Sequence, residues 1–103
     1  IVANIDNNEI IKNPDVYIIS IEDKAIQIAL NLANQLRTKK DLIVINDTLK
    51  RSLKAQMKDA NRLKAKYSII IGEEELKRKI VSIKNMETGN QEELSMDKII
   101  DFF

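Results

Sequence analysis

The chain has 103 residues, of which 44% are hydrophobic and 32% are charged, with two glycines and one proline. This composition excludes a disordered chain, and the length allows one domain with a single modest core. The formal net charge is only +1, and the absence of cysteine and histidine excludes disulfides, thiolate metal sites and the commonest general base.

The beginning of the chain contains no signal-peptide pattern, and no apolar run reaches the roughly 18 residues that a membrane span needs. We therefore expect a soluble, cytoplasmic protein with no membrane partner. The first residue is Ile1 rather than methionine, so we expect a piece of a longer polypeptide. The asparagine-rich opening ends at Asn13-Pro14, which is typical of a linker. Residues 1–14 are predicted to be a linker and residues 15–103 a domain.

The next residues alternate between short β-branched runs and amphipathic helical patterns. Strands are predicted at Val16–Ser20, Leu42–Ile45 and Tyr67–Ile71. Helices are predicted over Asp23–Lys39 and Leu49–Leu63, because apolar residues recur there every three or four positions. The order strand, helix, strand, helix, strand with short links predicts right-handed crossovers and a parallel sheet.

The pattern changes in the last third of the chain. Ile80–Met86 and Gln91–Leu94 are strand-like, and they flank a hairpin signal at residues 87–90. The stretch GEEELKRK at residues 72–79 is predicted to contain a turn between the third and fourth strands. Met96–Phe103 places its apolar residues on one helical face and is predicted to be a helix.

Basic residues concentrate in one segment. Residues 50–66 contain seven lysines and arginines and one aspartate, a local charge of +6. Lys50, Lys54 and Lys58 are spaced by four and project from one face of the second predicted helix. Clustered cations supply most of the sequence-independent affinity for nucleic acid. A solvated helix face is the alternative interpretation.

Other small α/β functions fit the sequence poorly. No glycine-rich phosphate loop follows the first strand, where the residues are Ser20-Ile21-Glu22-Asp23, so dinucleotide binding and P-loop hydrolysis are not expected. A receiver-like domain needs a phosphorylatable aspartate after its third strand, which here ends at Gly72. The adjacent carboxylates of Glu73–Glu75 have no partner cluster and are interpreted as a capped turn or a solvated loop rather than a metal site.

Three segments resemble the C-terminal anticodon-binding domain of histidyl-tRNA synthetases: DVYIIS at 15–20, RSLKAQMKDANRLKAKYSIIIGEEEL at 51–76 and VSIKNMETGNQEEL at 81–94. Other class II synthetases, such as those for threonine, proline and glycine, match the last two segments less well. The resemblance implies a three-layer α/β/α domain with a five-stranded, mixed and mainly parallel sheet and three helices. Related sequences usually carry glycine near Lys50, near Ala65 and before the fourth strand.

The resemblance also implies partners. The domain would bind the anticodon stem-loop of tRNA(His), while a catalytic domain of the same polypeptide activates histidine with ATP and Mg²⁺. The family forms homodimers through the catalytic domain, whereas we expect the present chain to be monomeric, to hold no cofactor and to be non-catalytic. A regulatory paralogue of the same descent and an unrelated α/β interaction domain are the alternatives.

An anticodon is single-stranded, so a protein can read the Watson–Crick edges of its bases. A carboxylate suits the N–H donors of guanine, and a lysine suits carbonyl oxygens and phosphates. Glu75 and Lys84 are predicted to supply this pair, because residues that flank the turn can face one surface. Their nine-residue spacing resembles that of the recognition residues in threonine-type synthetases. Alternatively, Glu75 caps the turn and Lys84 is solvated.

Further candidates lie nearby. Ligands of parallel sheets bind at the carboxyl ends of the strands, and the loop after the second strand lies there. The candidate base readers in that loop are Asn46, Lys50 and Arg51. Gln91 is a further candidate reader, Lys54 and Lys58 are predicted phosphate contacts, and no metal ligand is predicted.

Overall fold

A computed structural model describes residues 13–21, 23–46 and 52–103. Most of the predicted linker at residues 1–14 and the candidate readers Lys50 and Arg51 lie outside the described residues. The described strands are β1 (Val16–Ser20), β2 (Val44–Asn46), β3 (Tyr67–Ile71), β4 (Ile80–Asn85) and β5 (Gln91–Ser95). The described helices are α1 (Asp23–Lys40), α2 (Leu53–Arg62), α3 (Glu73–Arg78) and α4 (Ile99–Phe102). Within these ranges, no helix combines the length and the apolar character that crossing a membrane requires.

The five strands form one sheet in the order β2-β1-β3-β4-β5. β1 pairs in parallel with β2 and with β3, whereas β4 pairs antiparallel with both β3 and β5. Four strands therefore run in one direction and β4 runs in the other, which confirms the predicted mixed, mainly parallel sheet. The predicted strands agree with the observed ones to within two residues at each end.

Helices cover the sheet on both faces, which confirms the predicted three layers. On one face, α1 and α4 pack on the side chains of Val16 and Ile18. On the other face, the α2 residues Met57 and Ala60 pack with Tyr17 and Ile19. Because side chains alternate along a strand, a strand covered on both faces must be apolar throughout. The continuous β-branched runs in the sequence have this cause.

The segment 72–79 contains a helix, α3, and the prediction of a simple turn was wrong. Its three acids occupy the first helical turn and its bases the last, which complements the helix dipole. At the amino end, Glu75 Oε1 accepts a hydrogen bond from the Gly72 N–H at 2.8 Å, the backward reach of a capping box. At the other end, Lys77 Nζ lies 3.4 Å from Glu73 Oε1. The crowded, opposed charges are therefore the two ends of one short helix.

Two lysines occupy backbone positions that favour glycine. Lys64 ends the turn after α2 with φ 58°, and Lys79 caps α3 with φ 56°. These are the positions near Ala65 and before the fourth strand at which the resemblance places glycine. The left-handed conformation brings Cβ close to the following carbonyl oxygen and costs a residue other than glycine roughly 1–2 kcal/mol.

Replacing Lys79 by glycine should stabilise the protein. We expect Lys79→Gly to raise the free energy of unfolding by about 0.5–1 kcal/mol, because relief of the Cβ clash exceeds the entropic cost of glycine. Urea denaturation measures this change. The control is Lys77→Gly inside α3, which should cost about 1 kcal/mol. Equal losses in the two variants would contradict the assigned strain at Lys79.

Candidate nucleic-acid interface

The β4–β5 half of the sheet is uncovered on its α2 face. Val81 and Ile83 belong to the core under α1, so Ser82 and Lys84, which alternate with them, point to the α2 face. In the ladder, Ser82 pairs with Glu93 and Lys84 pairs with Gln91. Residues paired in register share a face, so the α2 face carries an open strip that consists of Ser82, Lys84, Gln91 and Glu93. Gln91 and Glu93 are exposed, Lys84 is half-buried and Ser82 is buried, so the strip is open at β5 and closes towards β4.

Helix α2 lies along one side of this open strip. Met57 Sδ accepts a hydrogen bond from Ser68 Oγ at 3.8 Å, and Ser68 pairs with Lys84 in the sheet. The flank of α2 that carries Met57 therefore faces β4. Lys54, three residues before Met57, lies beside it on that flank, whereas Lys58, one residue after Met57, projects about 100° further round the helix, and both are exposed. The flank and the open strip together bound a shallow surface, which we call the α2–β4 groove.

The α2–β4 groove contains unpaired cations. Within residues 52–103, neither Lys54, Lys58 nor Lys84 forms an ion pair. The neighbouring Arg62, by contrast, lies 3.6 Å from a carboxylate oxygen of Asp59. Lys54 and Lys58 are exposed and Lys84 is half-buried, and unpaired ammonium groups on one side of a domain produce a local positive potential that attracts phosphates.

Glu75 and Lys84 lie at different levels of the sheet. Lys84 pairs with Ser68 near the start of β3, whereas Glu75 follows Gly72 beyond the end of β3. Four residues of strand, or about 13 Å, separate the levels of Ser68 and Gly72. No ion pair joins Glu75 to Lys84 in the described part of the chain. One oxygen of Glu75 binds the Gly72 N–H, as the capping alternative expects, and base reading by Glu75 stays a prediction.

Asn46 occupies the carboxyl end of β2, where the sequence predicted it. Both polar atoms of its side chain are buried and have no hydrogen-bond partner among the described residues. A buried amide left unpaired costs about 1–3 kcal/mol, so this side chain can gain from a polar ligand. The described candidates thus form two groups. Lys84 and Gln91 lie opposite each other on the open strip, with Lys54 and Lys58 exposed on the neighbouring helix α2, while Asn46 and Glu75 lie at the carboxyl edge of the sheet.

Comparison with known proteins identifies the family to which this fold belongs. A family model described as "Anticodon binding domain" matches residues 15–103. The chain belongs to the anticodon-binding domain family. The family model begins at the predicted boundary between the linker and the domain, and it includes both groups of candidate residues.

This anticodon-binding domain is similar to part of several histidine–tRNA ligases. It is 46% identical over 89 residues to the enzyme of Acetivibrio thermocellus, covering 86% of this chain and 21% of that protein. It is 49% identical over 88 residues to the enzyme of Caldanaerobacter subterraneus, covering 85% and 21%. The chain spans about a fifth of the length of the curated relatives it matches. These matches confirm the resemblance to histidyl-tRNA synthetases.

Solved structures agree with this assignment. Apo histidyl-tRNA synthetase of S. aureus matches with a TM-score of 0.80 and 38% identity, covering 88% of this chain and 23% of that chain. The RNA-binding domain of threonyl-tRNA synthetase from Cryptosporidium parvum has a TM-score of 0.76, covers 88% of this chain and 23% of its own, and is 23% identical. At that identity, the second likeness shows a shared fold alone.

The anticodon-binding domain presents a further pair of polar residues, of which the sequence reasoning left Arg78 without an assigned role and missed Glu93. Arg78 in α3 donates two hydrogen bonds to the carboxylate of Glu93 in β5, with lengths of 3.1 and 3.0 Å. The two-residue spacing of Gln91 and Glu93 places both on one face of a strand and was a usable signal for Glu93. Arg78 offered no such signal, because its segment was interpreted as a turn.

The capping role of Glu75 can be tested by its effect on stability. We expect Glu75→Ala to lower the free energy of unfolding by about 1 kcal/mol, because the Gly72 N–H loses its acceptor. Glu75→Gln retains an acceptor oxygen and should lose less. Thermal or urea unfolding of the three proteins provides the comparison. Glu74→Ala is the matched control and should stay within about 0.5 kcal/mol of the wild type; an equal loss there would refute the cap.

Proposed function

We propose that this domain binds the anticodon stem-loop of tRNA(His) as a part of a cytoplasmic histidine–tRNA ligase. In this proposal the domain positions the tRNA for aminoacylation by a catalytic domain of the same, homodimeric polypeptide. That catalytic domain would bind ATP and Mg²⁺ and supply the activation chemistry. The observation that carries the proposal is the α2–β4 groove, in a fold similar to histidyl-tRNA synthetases. Lys84 lies opposite the exposed Gln91 there, and within the described residues Lys54, Lys58 and Lys84 form no ion pair.

The positions of the side chains indicate which residues contact phosphates and which contact bases in this proposal. Phosphate contacts position a nucleic acid, whereas contacts to base edges specify its sequence. Lys54 and Lys58 project from a helix at the side of the groove, and we assign them to phosphates. Lys84 and Gln91 lie opposite each other on the floor, with Cβ atoms about 5 Å apart, so both can reach one unpaired base.

The chemistry of these two side chains suits a guanine- and uracil-containing anticodon such as GUG. The Lys84 ammonium donates hydrogen bonds to the carbonyl oxygens of guanine and uracil, and the Gln91 amide both donates and accepts. Asn46 and Glu75, with Lys50 and Arg51, are proposed to form a second contact at the carboxyl edge of the sheet. Glu75 can offer Oε2 to a base while Oε1 holds the helix cap.

The phosphate contacts predict a characteristic salt dependence. We expect the 103-residue chain to bind a GUG stem-loop with an affinity that falls steeply with salt. Lys54→Ala should weaken binding to every stem-loop alike and flatten the slope of log K against log salt by about one unit. Fluorescence anisotropy at several salt concentrations measures both quantities. The control is Lys39→Ala, which removes an exposed charge from α1 on the other face and should leave the slope unchanged.

The base contacts predict a different response. We expect Gln91→Ala to lower the affinity for GUG by about 1–3 kcal/mol, with a smaller loss for stem-loops that differ at one anticodon position. The slope with salt should not change, because glutamine carries no charge. Equal losses for all anticodons would contradict the assignment of Gln91. A wild-type chain that binds every anticodon equally would instead favour the regulatory paralogue, and absence of binding at low salt would refute the proposed function.

A further inference from the structure

Arg78 and Glu93 form a fixed, planar pair at the edge of the α2–β4 groove. Both terminal nitrogens of Arg78 donate to the two carboxylate oxygens of Glu93, at 3.1 and 3.0 Å. Two parallel hydrogen bonds hold a guanidinium in the plane of its partner carboxylate. The side chains remain 52% and 48% exposed. The structure thus presents a flat cationic group whose orientation is already set.

This pair lies beside the proposed base readers. Glu93 is two residues from Gln91 along β5, a distance of about 7 Å. Glu93 also pairs in register with Ser82, which precedes Lys84 by two residues on the same face. The guanidinium of Arg78 is therefore at the end of the open strip that is nearest to α3. A nucleotide next to one held by Gln91 and Lys84 would lie within reach of it.

The geometry of the pair indicates which part of Arg78 is available to a ligand. Exposed ion pairs usually contribute little to folding stability unless their geometry is bidentate, so this pair can fasten α3 to β5, and that contact uses only the edge of the guanidinium. Glu93 also neutralises the guanidinium and accepts one N–H from each of its terminal nitrogens, which weakens the attraction to phosphate but leaves the other N–H donors of the guanidinium unused by this pair. The weakly hydrated planar face is available as well, and guanidinium planes stack on unpaired bases.

We infer that Arg78, held by Glu93, is a stacking platform for one unpaired base of the bound RNA. This inference rests on the proposed function, since it places a further contact in the same groove. It adds a binding residue of a different kind from the lysines and Gln91. The platform contributes affinity through the face of a base, so it tolerates any base at that position and does not depend on salt.

The test is a chemical double-mutant cycle. One partner is Arg78→Lys, which retains the charge and loses the planar fork. The other is a set of GUG stem-loops in which one loop nucleotide at a time is abasic. We expect Arg78→Lys to bind the intact stem-loop about tenfold more weakly, with an unchanged salt slope, since stacking on one base is worth this much. One abasic position should cost the wild type about tenfold and cost Arg78→Lys nothing further.

Two additional variants test whether the loss is specific to Arg78 and whether it depends on Glu93. Arg62→Lys, at an arginine paired with Asp59 on α2, is the matched control and should bind within about twofold of the wild type. Glu93→Gln weakens the hold on the guanidinium and should give a smaller loss that is coupled to the same abasic position. Thermal unfolding establishes that each variant is folded.

The possible failures are distinct. The platform is refuted if the losses from Arg78→Lys and from every abasic position simply add, or if Arg78→Lys binds as tightly as the wild type. It is also refuted if Arg78→Ala flattens the salt slope by about one unit, because that identifies a phosphate contact. In each of these cases a GUG preference of the wild type leaves the proposed function intact. Absence of any RNA binding by the wild type refutes both.

Discussion

The burial of β1 on both faces is the constraint from which the rest of the fold follows. All five residues of this strand are buried, and the strand pairs with β3 over its whole length and with β2 over Val16–Ile18. A strand of this kind requires a helix on each side. Right-handed crossovers supply α1 on one face and α2 on the other, because each connects parallel strands of the same sheet.

The open strip exists because the helical layer on the α2 face is narrower than the five-stranded sheet. A helix is about 10 Å wide and neighbouring strands lie about 4.8 Å apart, so one helix covers about two strands. On the α1 face, residues of α4 extend the cover, and Ile99 is fully buried there. On the opposite face the described chain has α2 alone for five strands. The antiparallel addition of β4 and β5 therefore creates a surface that this layer does not reach.

The near-neutral net charge conceals how the charges are paired. Glu73 and Glu93 are engaged by the basic end of α3, and Asp59 and Asp15 are engaged near the ends of α2 and β1. In the part of the chain that the structure describes, Lys54, Lys58 and Lys84 have no such partners. Local pairing of acids, rather than an excess of bases over the whole chain, produces the positive surface.

The sequence was most informative where burial on both faces dictates residue type. The β1 and β3 strands were located to the residue, since runs such as YSIII have few alternatives in a small α/β domain. The sequence did not reveal α3, because six residues with one apolar side chain, Leu76, show no helical period. That omission also misplaced Glu75 relative to Lys84. Their separation depends on the β3–β4 register, which spacing along the chain does not specify.

The sequence placed the candidate residues on their own helices and strands, but it did not specify which of these elements lie next to each other. Lys54 and Lys58 could be assigned to one helix face by their spacing, and Gln91 by its place in a strand. The α2 and β4–β5 residues lie on neighbouring parts of one face because β3 is inserted between β1 and β4 in the sheet. Arg78 and Glu93 are fifteen residues apart, and only the folded chain brings them together.

The position of β5 at the edge of the sheet links recognition to local stability. Gln91 and Glu93 belong to a strand with a single neighbour, β4, so its backbone is the part of the sheet that can separate most readily in a local opening. A ligand that contacts β5 together with β4 and α2 would hold this edge closed. Part of the free energy of the contacts would be used to keep β5 paired with β4, so the observed affinity would be lower than the contacts alone would give. The same effect would be seen as slower amide hydrogen exchange along β5 in the complex.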